Sequence, residues 1–262
     1  MEIIGYVASV LIGISLGLIG GGGSILTVPV LVYLFAVEPA AATFYSLFVV
    51  GTTSGVGSLS YFRRKEISLK TAAVFGLPSI IAVYLARHYL VAAIPDILFT
   101  IGDFTLTKNG LLMLLFAILM VAASYSMIRK RVVEERGADD SLNIGLLILQ
   151  GLFVGTVTGL IGAGGGFLII PALVNFVRLP MKTAVGTSLL IITVNSLSGF
   201  FLNLDEPGVN WSLLLAVTGI AIIGIVIGSF LASKINGAKL KPAFGWFVLA
   251  MGVYILLRQL LG

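Results

Sequence analysis

The chain contains no cysteine and a single histidine, His88. Without thiols there is no disulfide, iron–sulfur cluster or cysteine nucleophile. One imidazole cannot supply the histidine pair of a haem or transition-metal site. Charge is equally scarce. Sixteen Lys and Arg and eleven Asp and Glu make up 10% of 262 residues, against roughly 25% in ordinary soluble domains. So few charged side chains cannot cover the surface of a water-soluble fold this long. Disorder is excluded too, because disordered chains are polar and poor in large apolar residues. No basic cluster is interleaved with aromatics on a polar surface, so nucleic acid is not an expected partner despite a net charge of +5 and a pI near 9.5.

Apolar sequence is abundant instead: 58% of residues are hydrophobic and the mean hydropathy is +1.13. The chain reads as a polytopic membrane protein with room for about seven or eight membrane elements and no extra soluble domain. Its start, Met1-Glu2-Ile3-Ile4, has no basic n-region, and the apolar run that follows ends in glycines. It is therefore read as part of the membrane body rather than as a cleavable signal.

Runs free of Asp, Glu, Lys and Arg cover 3–37, 39–62, 71–86, 109–128, 141–177, 183–204, 207–233 and 242–257. Six suit single crossings. The first and fifth would measure ~52 and ~56 Å as continuous helices, against a hydrocarbon core of ~30 Å. Each must therefore break. The breaks fall at Gly20-Gly21-Gly22-Gly23-Ser24 and Gly162-Ala163-Gly164-Gly165-Gly166, since each glycine costs a helix ~1 kcal/mol relative to alanine.

The two breaks belong to an internal repeat. Gly17 to Pro29 lies over Gly159 to Pro171 at a constant offset of 142, and the register continues through Ala42 and Ala184, Ser46-Leu47 and Ser188-Leu189, Ser54 and Ser196, and Gly57 and Gly199. The expected fold class is all-α, with two inverted repeats of three transmembrane helices and one glycine-broken, re-entrant helix pair each. The first repeat takes 1–130, with half-helices in 3–37 and helices at 39–62, 69–93 and 109–128. A charged linker occupies 131–140. The second repeat takes 141–262, with half-helices in 141–177 and helices at 183–204, 209–233 and 242–261. Charge supports the re-entrant plan. Were all eight runs to cross, Lys and Arg would divide nine to seven between the two sides; with two re-entrant hairpins they divide thirteen to three, a positive-inside bias that puts only Arg87, Lys108 and Arg258 outside.

Broken helices leave unpaired N–H groups and a positive dipole end, which attract anions without a charged side chain. Gly21, Gly22, Gly23, Ser24, Gly164, Gly165 and Gly166 are accordingly candidate ligand-lining residues. Ser46 and Thr53 stand two helical turns apart on one face, continued by Gly57, and Ser188, Asn195 and Gly199 are their counterparts. Hydroxyls and an amide on one stripe can donate to an oxyanion; they can equally bond across helices or back to their own carbonyls. Gly13/Gly17, Gly151/Gly155/Gly159 and Gly224/Gly228 have the spacing of close helix packing. All eleven carboxylates lie at run edges or in loops. No buried proton relay, metal site or cofactor is expected. His88, Tyr61, Tyr89, Trp211 and Trp246 sit near run ends and read as interfacial residues.

The duplicated G-x-x-G-x-G-G-G-x-x-x-x-P-x-L blocks at Gly17 to Leu31 and Gly159 to Leu173, with Ala184-Val185-Gly186-Thr187-Ser188-Leu189 following the second, resemble the sulfite exporter TauE/SafE family, also called the 4-toluenesulfonate uptake permeases. The first half departs from the pattern, with Phe44-Tyr45 where Gly-Thr would stand. The resemblance covers essentially the whole chain. It implies transport of a small sulfur-containing anion, such as sulfite, sulfoacetate or another organosulfonate, across the cytoplasmic membrane of a prokaryote. By position it adds Thr187 to Ser46, Thr53, Ser188 and Asn195 as substrate contacts. The expected partners are that anion and the lipid bilayer, with a homodimer left open. Alternating access around a midplane anion site is the expected mechanism. A passive anion or small-solute channel is the alternative. An intramembrane serine hydrolase using Gly23-Ser24 and His88 is disfavoured, because a nucleophile needs its base within hydrogen-bond reach.

Overall fold

The computed structural model of the chain describes residues 2–91, 93–95, 97–101, 104–128, 144–161, 166–202, 209–235 and 237–261. Gly164 and Gly165 of the second break, and the linker proposed at 131–140, lie outside the described residues. Helices α1 (Glu2–Ile19), α2 (Gly22–Tyr33), α3 (Pro39–Arg63), α4 (Leu69–Leu85) and α5 (Lys108–Ile128) are followed by α6 (Ile144–Ile161), α7 (Gly166–Asn175), α8 (Met181–Phe201), α9 (Trp211–Lys234) and α10 (Gly237–Leu261). A π-helical turn, Ala86–Val91, extends α4.

One element corrects the all-α expectation. Strands β1 (Ile97–Ile101) and β2 (Phe104–Thr107) pair antiparallel, with Ile101 opposite Phe104 and Thr100 opposite Thr105. The segment is dense in Ile, Phe and Thr, whose branched and aromatic side chains suit a pleated strand. It is also too short to be a crossing.

Helix ends follow the local sequence. Pro39 stands in the first turn of α3, where a missing N–H costs nothing. The Asn210 side chain accepts from Leu213 N at 3.1 Å and caps α9. Two cations meet the other end of α9: Arg64 Nη1 donates to Ser229 O and Lys182 Nζ to Ser233 O, each at 3.1 Å. This is the terminus at which the helix dipole favours positive charge.

By length and composition, three helical segments among the described residues can cross a membrane: Leu69–Leu90, Met181–Phe201 and Trp211–Lys234. The distribution of side chains on α9 agrees. Of its large residues, Leu215, Ile223, Val226 and Phe230 are exposed and Leu214, Val217 and Ile225 are buried, while the small Ala221, Gly224, Gly228 and Ser229 are all buried. A water-soluble helix would bury its large residues. In lipid the small ones go inward, because close backbone approach supplies the packing.

The glycine spacing read as packing has that role. A β-carbon at Gly13 would collide with Ala221 O, and at Gly17 would stand 2.6 Å from Ile225 O, so α1 runs alongside and parallel to α9. Gly155 meets Ser79 O and Gly159 meets Val83 O in the same way, so α6 runs parallel to α4. Shifted by 142, the first two contacts become the second two. Corresponding helices also meet each other. Gly51 of α3 faces Leu197 of α8, and Gly55 faces Thr193, an antiparallel crossing that the same shift maps onto itself. Helices α5 and α10 cross antiparallel too, Gly245 lying on Met127 and Ile128 and Gly252 on Met120.

Helices α1 and α2 form a hairpin. The chain turns at Gly20, and by Phe35 it is back beside the start of α1: the Phe35 ring lies over Gly5, and its centroid is 5.2 Å from that of Tyr6. Tyr61, expected at an interface, is instead only 1% exposed. Its hydroxyl donates to Gly17 O at 2.8 Å and ties α3 to the last turn of α1. The other expected interfacial residues, His88, Tyr89, Trp211 and Trp246, are exposed.

Candidate functional site

At the first break, only Gly20 takes a left-handed conformation, with φ of 79°. Its N–H donates to Leu16 O, that of Gly21 donates to Ile19 O, and α2 restarts at Gly22. Gly21 brings no side-chain cap, so the first amides of α2 have no intrahelical acceptor. Gly23 packs against Ile12 and Ser15 of α1.

The second break meets the first here. A β-carbon on Gly166 would stand 2.7 Å from the Gly21 Cα and 2.6 Å from Ile192 Cδ1. One on Gly20 would stand 2.8 Å from Ser188 Oγ and 3.0 Å from Ile170 Cδ1. The starts of α2 and α7 are thus in van der Waals contact, with α8 beside them. Of the anticipated site residues, Gly21, Gly166 and Ser188 come together at this point.

The hydroxyls are differently disposed. Ser24 Oγ donates to Gly21 O at 2.8 Å, Ser46 Oγ to Thr43 O at 2.7 Å and Ser188 Oγ to Val185 O at 2.8 Å. Each bonds three residues back in its own chain, and must rotate before donating to a ligand. Thr187 Oγ1 accepts from Ser68 N at 3.0 Å, where it holds the start of α4.

Thr53 and Asn195 stand apart from these. Thr53 is fully buried and its Oγ1 has no hydrogen-bond partner; Asn195 is 6% exposed, and its Oδ1 is likewise unmet. The next residue on each helix repeats the pattern, with Ser54 Oγ and Ser196 Oγ both buried and unpaired. Unmet buried polar atoms cost about 1–3 kcal/mol each. Here they stand at equivalent places on the two helices that cross. Asn195 Nδ2 donates to Ser79 Oγ at 3.2 Å. Ser79, Ser54 and Ser196 escaped the sequence-based site. The register pairing Ser54 with Ser196 was visible, but nothing marked them as buried without partners.

Among the described residues no group of three or more His, Asp or Glu could hold a metal ion. Ser24 donates to a backbone carbonyl. His88 lies at the far end of α4, with its ring stacked on Tyr84 at 5.8 Å.

Apolar helices long enough to cross a bilayer, with large residues outward, are those of a multi-pass membrane protein. The chain belongs to the sulfite exporter TauE/SafE family, whose sequence model matches residues 6–255. A "Probable membrane transporter protein" of Xylella fastidiosa strain Temecula1 is 29% identical over 255 residues, covering 95% of this chain and 92% of its own length. The "Probable membrane transporter protein YunE" of Bacillus subtilis is 28% identical over 255 residues, covering 88% and 90%. A "Probable membrane transporter protein" of Methanocaldococcus jannaschii is 34% identical over 116 residues, covering 42% of this chain and 43% of its own length.

Proposed function

We propose that the chain is a carrier for small sulfur-containing anions, such as sulfite, sulfoacetate or another organosulfonate, in the cytoplasmic membrane of a prokaryote. It works by alternating access around a site where the two glycine breaks approach the α3–α8 crossing. The observation that carries this reading is the pairing of Thr53 and Ser54 with Asn195 and Ser196, polar and unmet at matching positions of two antiparallel helices. A ligand with several oxygens would satisfy the donors among them. The N-terminal amides of α2 and α7 would add electropositive character without a fixed charge.

The antiparallel packing of α3 on α8 and α5 on α10 supports an inverted relation between the halves. In such transporters broken helices meet at the repeat interface, and one half rocks against the other. The α1–α2 hairpin supports re-entrance of the first run, and the Arg64 and Lys182 contacts to the end of α9 support a shared, cytoplasmic side for those cations.

The test is anion-evoked current from purified protein in liposomes on a solid-supported membrane, with sulfite, sulfoacetate, isethionate, taurine, thiosulfate, sulfate and chloride. Saturable current with one sulfur oxyanion, lost in Gly166→Val, is the expected result. If neither current nor isotope uptake is detected for any sulfur anion, from protein shown to be folded, the substrate reading fails.

A further inference from the structure

A cavity of about 360 Å³ opens between the C-terminal halves of α4 and α8, lined by Val83, Tyr84, His88, Asn195, Ser198 and Gly199 among others. Sulfite alone would leave most of it empty, whereas pockets for small organic ligands begin at roughly this volume. The lining is mixed. Apolar Val83 faces it together with Ser198, the Tyr84–His88 stack and the carboxamide of Asn195.

At the corresponding place in the other half a larger side chain occupies the space beside the equivalent glycine. The equivalents of Val83 and Gly199 are Ile225 and Gly57, and there the Ile225 side chain lies directly against Gly57. The neighbouring leucines match, Leu47 beside Gly199 and Leu189 beside Gly57, each 3.4 Å from the position of a glycine β-carbon. The two places therefore share a backbone and differ in what fills them. Val83 is one carbon smaller than Ile225, and Asn195 and Ser198 stand where the first half has Thr53 and Val56.

Asn195 gives the cavity a polar anchor. It is buried, its Nδ2 is engaged by Ser79, and its Oδ1 has no partner. Turning the carboxamide over, with the Ser79 hydroxyl donating to Oδ1, would present the NH₂ group instead. The pair can thus meet a donor or an acceptor on a ligand.

We infer that this cavity is a binding subsite for the organic body of an organic anion, with Asn195 meeting a polar group of the ligand and Val83, Tyr84 and Ser198 enclosing its carbon chain. The inference rests on the anion-carrier reading and narrows it to ligands that carry carbon.

The test uses purified full-length protein and two ligand series, alkanesulfonates of one to four carbons and the matched carboxylates, with sulfite for reference. The readout is the concentration giving half-maximal thermal stabilisation. Each added methylene should tighten binding about fourfold until the cavity is full. Val83→Ile copies the larger side chain of the other half and Ser198→Leu occludes the space from α8. Both should flatten that dependence while leaving methanesulfonate binding within about twofold of wild type, too small a change for loss of a buried contact. Val83→Ile, one carbon larger, serves as the fold-preserving variant. Sulfonate or sulfite binding with no chain-length dependence, or dependence unmoved by both variants, would overturn the subsite and leave the sulfur-anion reading standing. Binding of carboxylates alone, still flattened by the variants, would remove the sulfur reading and keep the subsite. No stabilisation by any member of either series would overturn the subsite.

Discussion

Gly20 of the first break lies against Ser188 of α8, so that a β-carbon on the glycine would stand 2.8 Å from the serine Oγ. Gly20 also holds a φ of 79°, which costs a residue with a β-carbon roughly 1–2 kcal/mol. Gly20→Ala should therefore lower unfolding stability by at least about 1 kcal/mol. Adding Ser188→Ala should recover only the serine's share of the contact loss, leaving the backbone part and the contacts with Ile170 and Val185. Thermal unfolding of the single and double variants in detergent separates the two.

The packing glycines give a second, paired expectation. Gly13 meets Ala221 O and Gly155 meets Ser79 O, equivalent places where a methyl group must displace backbone. Alanine at either should destabilise by about 1–3 kcal/mol, the usual cost of overpacking. Gly219, on the same helix as Ala221, has nothing within 4 Å of a would-be β-carbon. Gly219→Ala should be neutral or stabilise by up to ~1 kcal/mol through helix propensity. Thermal unfolding midpoints check all three.

These two expectations show what was legible beforehand. The glycine breaks were visible because four small residues cannot continue a helix in a run too long for the bilayer, and the packing glycines because i,i+4 spacing puts them on one stripe. The β1–β2 hairpin was not, since Ile97, Phe99 and Thr100 are unremarkable in a chain this apolar. Tyr61 misled for a related reason. Near a run end it resembles an interfacial anchor, but its partner, Gly17 O, is 44 residues away and known only once α1 and α3 are packed. Within the candidate site the sequence could align Thr53 with Asn195. It could not tell that their polar atoms lack partners while the hydroxyl of Thr187 is taken by Ser68. Burial and pairing are tertiary properties.

Thr53 is the place to separate stability from function. Its hydroxyl is fully buried without a partner, so the near-isosteric Thr53→Val removes an unmet polar group. The variant should unfold at a higher temperature, with a gain of about 1 kcal/mol, and should transport about tenfold or more slowly if the hydroxyl binds the anion. Higher stability with unchanged transport would take Thr53 out of the site.

The helix contacts put two sets of groups at opposite ends of α9. Lys182 and Arg64 meet the end of α9, whereas Tyr45, near the start of α3, accepts from Asn210 N at its beginning. In intact cells a membrane-impermeant maleimide should label Glu38→Cys from outside and should reach Lys182→Cys only after permeabilisation. Labelling of both from one side would contradict the inverted plan, whatever the substrate.

The most direct test of the central claim is counterflow in liposomes. Wild-type protein is loaded with a high concentration of an unlabelled sulfur anion and diluted into a trace of the labelled one. A carrier with one alternating site accumulates label transiently above equilibrium, and Thr53→Val with Asn195→Leu should abolish that overshoot. Entry of label without overshoot, rising linearly with concentration and unaffected by the two substitutions, would contradict the account and describe a passive pore.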